Sequence, residues 1–238
     1  MIKRIIFLLW GLFLFALGIV LTVQSNLGAS PWDVLHLGLI NYFPVTLGEV
    51  SQLTGIIVIL LSWLLGVKPG WGSIANMYFI GLYIDIIVGS GWIPGQQQWP
   101  AQLAMLLAGV GLIGWASYFY LTAAFGAGPR DSFMVGAVQK TGWPVWKVRT
   151  ILESGVAATG YCLGGPVGPG TIIIAVTLGP AIQWAFAVMG QRPQDIEHTP
   201  FVFWLPRPVG NQEQDKAAVM DFTEKGGETS GRECKISQ

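Results

Sequence analysis

The chain has 238 residues, of which 52% are hydrophobic and only 11% charged. An average soluble domain is roughly a quarter charged, so a water-soluble fold of this size could not cover its surface. A net charge of zero gives no electrostatic reason for a nucleic-acid partner. The two cysteines (Cys162, Cys234) and two histidines (His36, His198) offer neither a disulfide framework nor a metal cluster.

Between Ile5 and Pro129 the formally charged side chains are Asp33, Glu49, Lys68 and Asp85. Lipid needs no charged cover, so this stretch reads as membrane-embedded. The first apolar run, from Ile5 to Val23, follows Lys3 and Arg4. It is longer than the core of a signal peptide, and no small-residue cleavage site follows, so a retained first span is expected. A helix needs about 20 apolar residues to cross the hydrocarbon. Six segments approach that length: 5–24, 48–65, 72–89, 101–125, 148–163 and 170–189. Two shorter pieces, from Pro31 to Phe43 and from Pro129 to Gly142, are too short to cross and read as interfacial or re-entrant half-helices.

Trp71, Trp92, Trp99 and Trp143 cluster with Gly and Pro near segment ends, the headgroup position that indole rings prefer. Small residues crowd the fourth and fifth segments (Gly109, Gly111, Gly114; Gly155, Gly160), as expected where helices pack closely in lipid. From Gln191 the chain turns polar and Pro-rich, and the tail 191–238 is expected to be a disordered cytoplasmic extension.

Sliding the sequence against itself by 98 positions aligns Gly28-Ala-Ser-Pro-Trp-Asp33 with Gly126-Ala-Gly-Pro-Arg-Asp131. Gly38 then meets Gly136, Leu65-Gly66 meets Leu163-Gly164, and Gly70-Trp-Gly-Ser-Ile74 meets Gly168-Pro-Gly-Thr-Ile172. Residues 1–98 and 99–190 therefore read as two repeats, each a span, a half-helix and two spans. Three spans per repeat invert the second relative to the first. The resulting loops at 25–47, 90–100 and 164–169 hold no Lys or Arg, which places both termini in the cytoplasm. A parallel arrangement with four spans per repeat would require the short pieces to cross. It would also put Lys68 and Arg130 on the opposite side from Arg192. The expected fold class is thus an all-α transmembrane bundle of two inverted three-span repeats, an architecture common among secondary transporters.

The polar residues that carry chemistry sit in these motifs. Ser30 has the grammar of an N-cap, with Pro31 at the first helical position and Asp33 placed to reach back as in a capping box. Gly128-Pro129-Arg130-Asp131 repeats it with Gly at the cap. On one reading each Asp caps its own helix. On the other, both helix starts face a cavity where their positive ends bind a polar or anionic solute, with Asp33 and Asp131 on its path. The two readings are compatible. Arg130 replaces Trp32 of the first repeat, and its fates are pairing with Asp131, anchoring at lipid headgroups, or meeting a solute.

Asn76 and Asp85, nine positions apart, project about 180° from each other on a helix and cannot face one cavity together. Glu153 has Arg149 at i−4, which makes a helix-surface ion pair the plain reading. Candidate solute-binding residues are therefore Ser30, Asp33, Asn76, Asp85, Arg130 and Asp131. Gly-x-Gly-Ser/Thr at 70–73 and 168–171 lacks the Lys of a nucleotide loop, and no Ser-His-Asp order appears. Neither enzymatic chemistry nor a cofactor is expected.

Asn26-Leu-Gly-Ala-Ser-Pro-Trp-Asp33, Gly66-Val-Lys-Pro-Gly-Trp-Gly-Ser73 with Asn76, Gly81 and Asp85, and Gly126-Ala-Gly-Pro-Arg-Asp131 together resemble the YczE/YyaS/YitT group of bacterial integral membrane proteins. The resemblance covers residues 5–190. It implies a bacterial inner-membrane protein with one span fewer than the six marked above, and it brings no substrate and no site residues. Two functions follow as expectations. One is a transporter or channel for a small solute or ion, with its site between the two Pro-started half-helices. The other is a membrane interaction or regulatory protein acting through its tail. The lipid bilayer is the expected partner in both.

Overall fold

The computed structural model describes residues 2–190 apart from 124 and 127, and their regular structure is entirely helical. In chain order the helices are α1 (Ile2–Gln24), α2 (Pro31–Ile40), α3 (Leu47–Leu64), α4 (Trp71–Ser90), α5 (Trp99–Thr122), α6 (Pro129–Thr141), α7 (Val145–Cys162) and α8 (Pro169–Val188). The tail 191–238, and with it the expectation of disorder there, lies outside the described residues.

Length and apolarity fit α1, α3, α4, α5 and α8 to cross a membrane. Of the six segments marked in the sequence, five thus qualify as spans on length and apolarity alone. The difference is α7, which matches α3 in length but carries Lys147, Arg149 and Glu153 in its first half. Three charges in 18 residues are too many for a lipid-exposed span. The helices α2 and α6 are short, as their sequence length requires. Apolar side chains such as Leu53, Ile57 and Leu64 of α3 and Ile172 and Val176 of α8 point outward, a surface suited to lipid and not to water. Trp71, Trp92, Trp99 and Trp143 are all exposed at helix ends.

The centre of the molecule is the α1–α5 contact, where small residues let the two backbones meet. A Cβ added at Gly18 would stand 2.8 Å from the Gly109 carbonyl oxygen, and one at Gly109 would stand 2.8 Å from that of Gly18. Further along, Gly11 would meet the Tyr120 nitrogen at 2.8 Å, and the Arg4 Nε donates to the Ala123 carbonyl at 3.1 Å. Ascending positions on α1 thus meet descending positions on α5, so the two helices run antiparallel. Leu12, Ala16, Val20, Ile84 and Ile113 pack around this seam as the main core.

Helix α1 also packs on α4, and α5 on α8. The short helices cross over: α2 packs on α7 and α6 packs on α3. Gly38 of α2 lies against the Gly160 carbonyl, and Gly136 of α6 lies against Leu65. The helix starts are exchanged in the same way. The Gly72 N–H donates to the Phe125 carbonyl at 2.8 Å, and the Gly170 N–H donates to the Leu27 carbonyl at 2.7 Å. Each bond satisfies a donor that the first turn of α4 or α8 would otherwise leave open in lipid. Gly28 shows why the connection before α2 needs glycine: its φ is +110°, and a Cβ there would meet Gly168 nitrogen at 2.7 Å.

Candidate functional site

Pro31 and Pro129 start their helices at the position where a missing N–H is harmless, and both helix starts open into one cavity of about 450 Å³. Ser30, Pro31 and Trp32 line it from α2, and Gly128, Arg130 and Asp131 from α6. Ser51 and Thr54 of α3, Asn76 and Met77 of α4, and Ser117 and Tyr120 of α5 complete its polar wall. Apolar floor comes from α1 and α8, with Ile19 and Leu178 among its residues. Volume and character are those of a small-molecule site.

The two helix starts are finished differently. At α2 the Ser30 hydroxyl accepts from the Asp33 N–H at 3.4 Å and itself donates to the Asp33 carboxylate. Asp33 therefore caps through the serine side chain and does not reach back to the backbone. Gly128 at the equivalent position makes no side-chain cap. Asp131 is held instead by the Tyr120 hydroxyl, which donates to it at 2.9 Å. Its carboxylate thus belongs to the cavity wall and does not cap α6.

Arg130 does not take the first fate considered for it, an ion pair with Asp131. The ion pairs among the described residues, Arg149–Glu153 and His36–Asp33, do not include it, and it lines the cavity. Its guanidinium carbon lies 4.7 Å from the centre of the Trp32 ring. Trp32 and Arg130 are 98 positions apart, so the equivalent side chains of the two motifs meet face to face as a cation and an aromatic ring. The guanidinium edge is left to the cavity.

Four of the six candidate residues line the cavity: Ser30, Asn76, Arg130 and Asp131. Asp33 is buried, 2% exposed, directly behind Ser30. Asp85 is elsewhere, as its spacing from Asn76 requires. It accepts from the Thr46 hydroxyl at 2.7 Å and the Gly48 N–H at 2.8 Å, tying the end of α4 to the start of α3. Its role is structural.

Arg149 and Glu153 form the expected i, i+4 pair at 2.9 Å, and both also line the cavity. His36 had no role in the sequence reading. It is 1% exposed, with its Nδ1 3.6 Å from Asp33 Oδ1 and its Nε2 2.8 Å from the Thr54 hydroxyl. The signal was present in the i, i+3 spacing of Asp33 and His36, which puts both on one face of a short helix.

A family model described as "Family of unknown function (DUF6198)" matches residues 2–186. The chain belongs to that family. It is 33% identical over 199 residues to the uncharacterized membrane protein YczE of Bacillus subtilis (strain 168), a match covering 83% of this chain and 89% of that protein. An uncharacterized protein of Haemophilus influenzae is also 33% identical, over 84% of this chain and 88% of its own length. The uncharacterized protein YyaS of Bacillus subtilis (strain 168) is 27% identical over 76% of this chain and 91% of its own length. No solved structure matches the chain. The match to YczE and the five apolar helices make this an integral membrane protein in a lipid bilayer.

Proposed function

We propose that the protein carries a small polar or anionic solute across the bacterial inner membrane, binding it between the starts of α2 and α6. The observation that carries this reading is the convergence of two Pro-started helix N-termini and a cavity-lining guanidinium on one cavity. The first-turn N–H groups and the helix dipole favour negative charge there, and Arg130 adds a full positive charge beside them. Residues 1–98 and 99–190 act as two inverted repeats around this site. The antiparallel course of α1 and α5, which occupy equivalent places in the 98-residue register, supports the inversion, as do the exchanged packing of α2 on α7 and α6 on α3. With α7 crossing as the third span of its repeat, its Arg149 and Glu153 turned to each other and to the cavity, and with Lys3, Arg4 and Lys68 inside, both ends of the membrane body face the cytoplasm. The protein moves its solute without transforming it.

The test is the thermal unfolding of purified protein against a panel of small carboxylates, inorganic phosphate and amino acids. At least one is expected to raise the midpoint in a concentration-dependent way, and Arg130→Gln combined with Asp131→Asn is expected to abolish the rise. A full response in that double variant would remove both residues from the site.

A further inference from the structure

Behind the Ser30 wall lies a cluster that solute binding alone does not use. Asp33 and His36 are shut away from solvent, and Asp33 Oδ1 is the buried side-chain polar atom among the described residues left without a hydrogen bond. It faces His36 Nδ1 at 3.6 Å. On the other side of the ring, His36 Nε2 and the Thr54 Oγ1 are 2.8 Å apart, and Thr54 lines the cavity. The Thr54 oxygen is also 2.9 Å from the Val50 carbonyl and 3.1 Å from that of Ser51.

A threonine hydroxyl has one hydrogen and can point it to the imidazole or to its own helix. In the first arrangement Thr54 donates to Nε2, and the hydrogen of a neutral His36 sits on Nδ1, toward Asp33. In the second, Thr54 turns its hydrogen to the Val50 carbonyl and accepts from an Nε2–H. His36 then carries hydrogens on both nitrogens and is an imidazolium beside the Asp33 carboxylate. Rotation of one hydroxyl and uptake of one proton separate the two, with Nδ1 and Asp33 Oδ1 facing each other at 3.6 Å and no heavy atom displaced. A buried carboxylate–imidazole pair able to hold one more or one fewer proton is rare within a membrane body, where ionisable groups are costly and mark ion paths.

We infer that Asp33 and His36 form a proton-binding site connected to the cavity through Thr54, and that its occupancy is coupled to the charge of Arg130. The proton comes from cavity water, is taken up by the His36 imidazole, and returns by the same route; nothing is oxidised or reduced. The coupling with a carried solute rests on the transport reading above, whereas proton binding itself does not.

The surroundings identify Arg130 as the charge that matters. From α6, Arg130 contributes to the field at both Asp33 and His36. From α3, Thr54 is the contact, and Glu49 is engaged by the Thr46 N–H at 2.9 Å. On α7, Arg149 and Glu153 hold each other, Lys147 lies over Trp143, and Tyr161 and Cys162 are exposed. On α2 itself, Ser30 donates to Asp33. An empty pair leaves the Asp33 charge facing Arg130. Protonation of His36 cancels that charge locally and frees Arg130 for an anion, so proton and anion favour each other's binding.

Replacing His198 by glutamine leaves His36 as the sole histidine of the full chain, and nitrogen-15 resonances of labelled histidine then report it alone. A single protonation is expected, with its midpoint below that of a free histidine because burial disfavours the imidazolium. Asp33→Asn should lower its midpoint by about one unit or more, because the carboxylate that favours the imidazolium is gone. Thr54→Val should also lower it, by removing the acceptor for Nε2–H. Arg130→Gln should raise it. A His36 that stays neutral down to about pH 5 overturns the proton site. A midpoint unmoved by Arg130→Gln overturns the coupling. Should Asp33→Asn not fold, Thr54→Val and Arg130→Gln carry the test. A His36 that titrates as expected in a protein that responds to no solute keeps the proton site and refutes the transport reading instead.

Discussion

Charged residues in lipid are informative because each must be accounted for, and the few in this chain divide by what holds them. Asp85 is consumed by structure: two donors from the start of α3 converge on its carboxylate. Asp85→Ala should lower stability by about 1 kcal/mol, the usual worth of a helix cap, read as thermal unfolding in detergent. The cavity residues should be untouched, so any solute response should survive the change. Asp131 and Arg130 are held more lightly, by a hydroxyl and an aromatic face, and present their remaining valence to the cavity. Local sequence grammar was a good guide to Ser30, whose N-cap place could be seen from Ser-Pro-x-Asp. It was a poor guide to Asp131, because the Tyr120 that holds it comes from another helix, and to Asp85, whose partners lie 37 and 39 positions away.

Among the helices, the closest meetings are made by glycine, and position decides which glycines matter. Gly109 stands against the Gly18 carbonyl, Thr22 and Leu21, whereas Gly111 two residues on has nothing within 4 Å. Gly109→Val should therefore cost about 1–3 kcal/mol by forcing α1 and α5 apart. Gly111→Val should change stability by less than about 0.5 kcal/mol. Both are read from thermal unfolding of the purified variants. Helix extents were legible in the sequence to within a few residues, since apolar runs in lipid end at Gly, Pro and Trp. The standing of α7 was not. Its length resembled that of a span, and only its charges, Lys147, Arg149 and Glu153, set it apart. Their placement beside a polar cavity explains how such a helix is accommodated: Arg149 and Glu153 face the cavity lining and each other.

For the molecule as a whole, the transport reading depends on how the two 98-residue registers lie in the bilayer. The sequence offered the register through Gly28/Gly126, Pro31/Pro129 and Asp33/Asp131, but it could not say that Trp32 and Arg130 touch, because contact between halves depends on their mutual orientation. Convergence of α2 and α6 on one cavity, with α1 and α5 antiparallel between them, follows if the halves are inverted and enter the membrane from opposite sides. Lys68 and Pro166 occupy equivalent exposed places in the loops before α4 and α8. Single cysteines at these two positions, with Cys162 and Cys234 replaced, can be labelled with a membrane-impermeant thiol reagent in intact cells and in opened membranes. Inverted halves predict that Pro166→Cys reacts in intact cells and Lys68→Cys only once the membrane is opened. Labelling of both from the same face would contradict the inversion, and with it a solute site built from opposed half-helices.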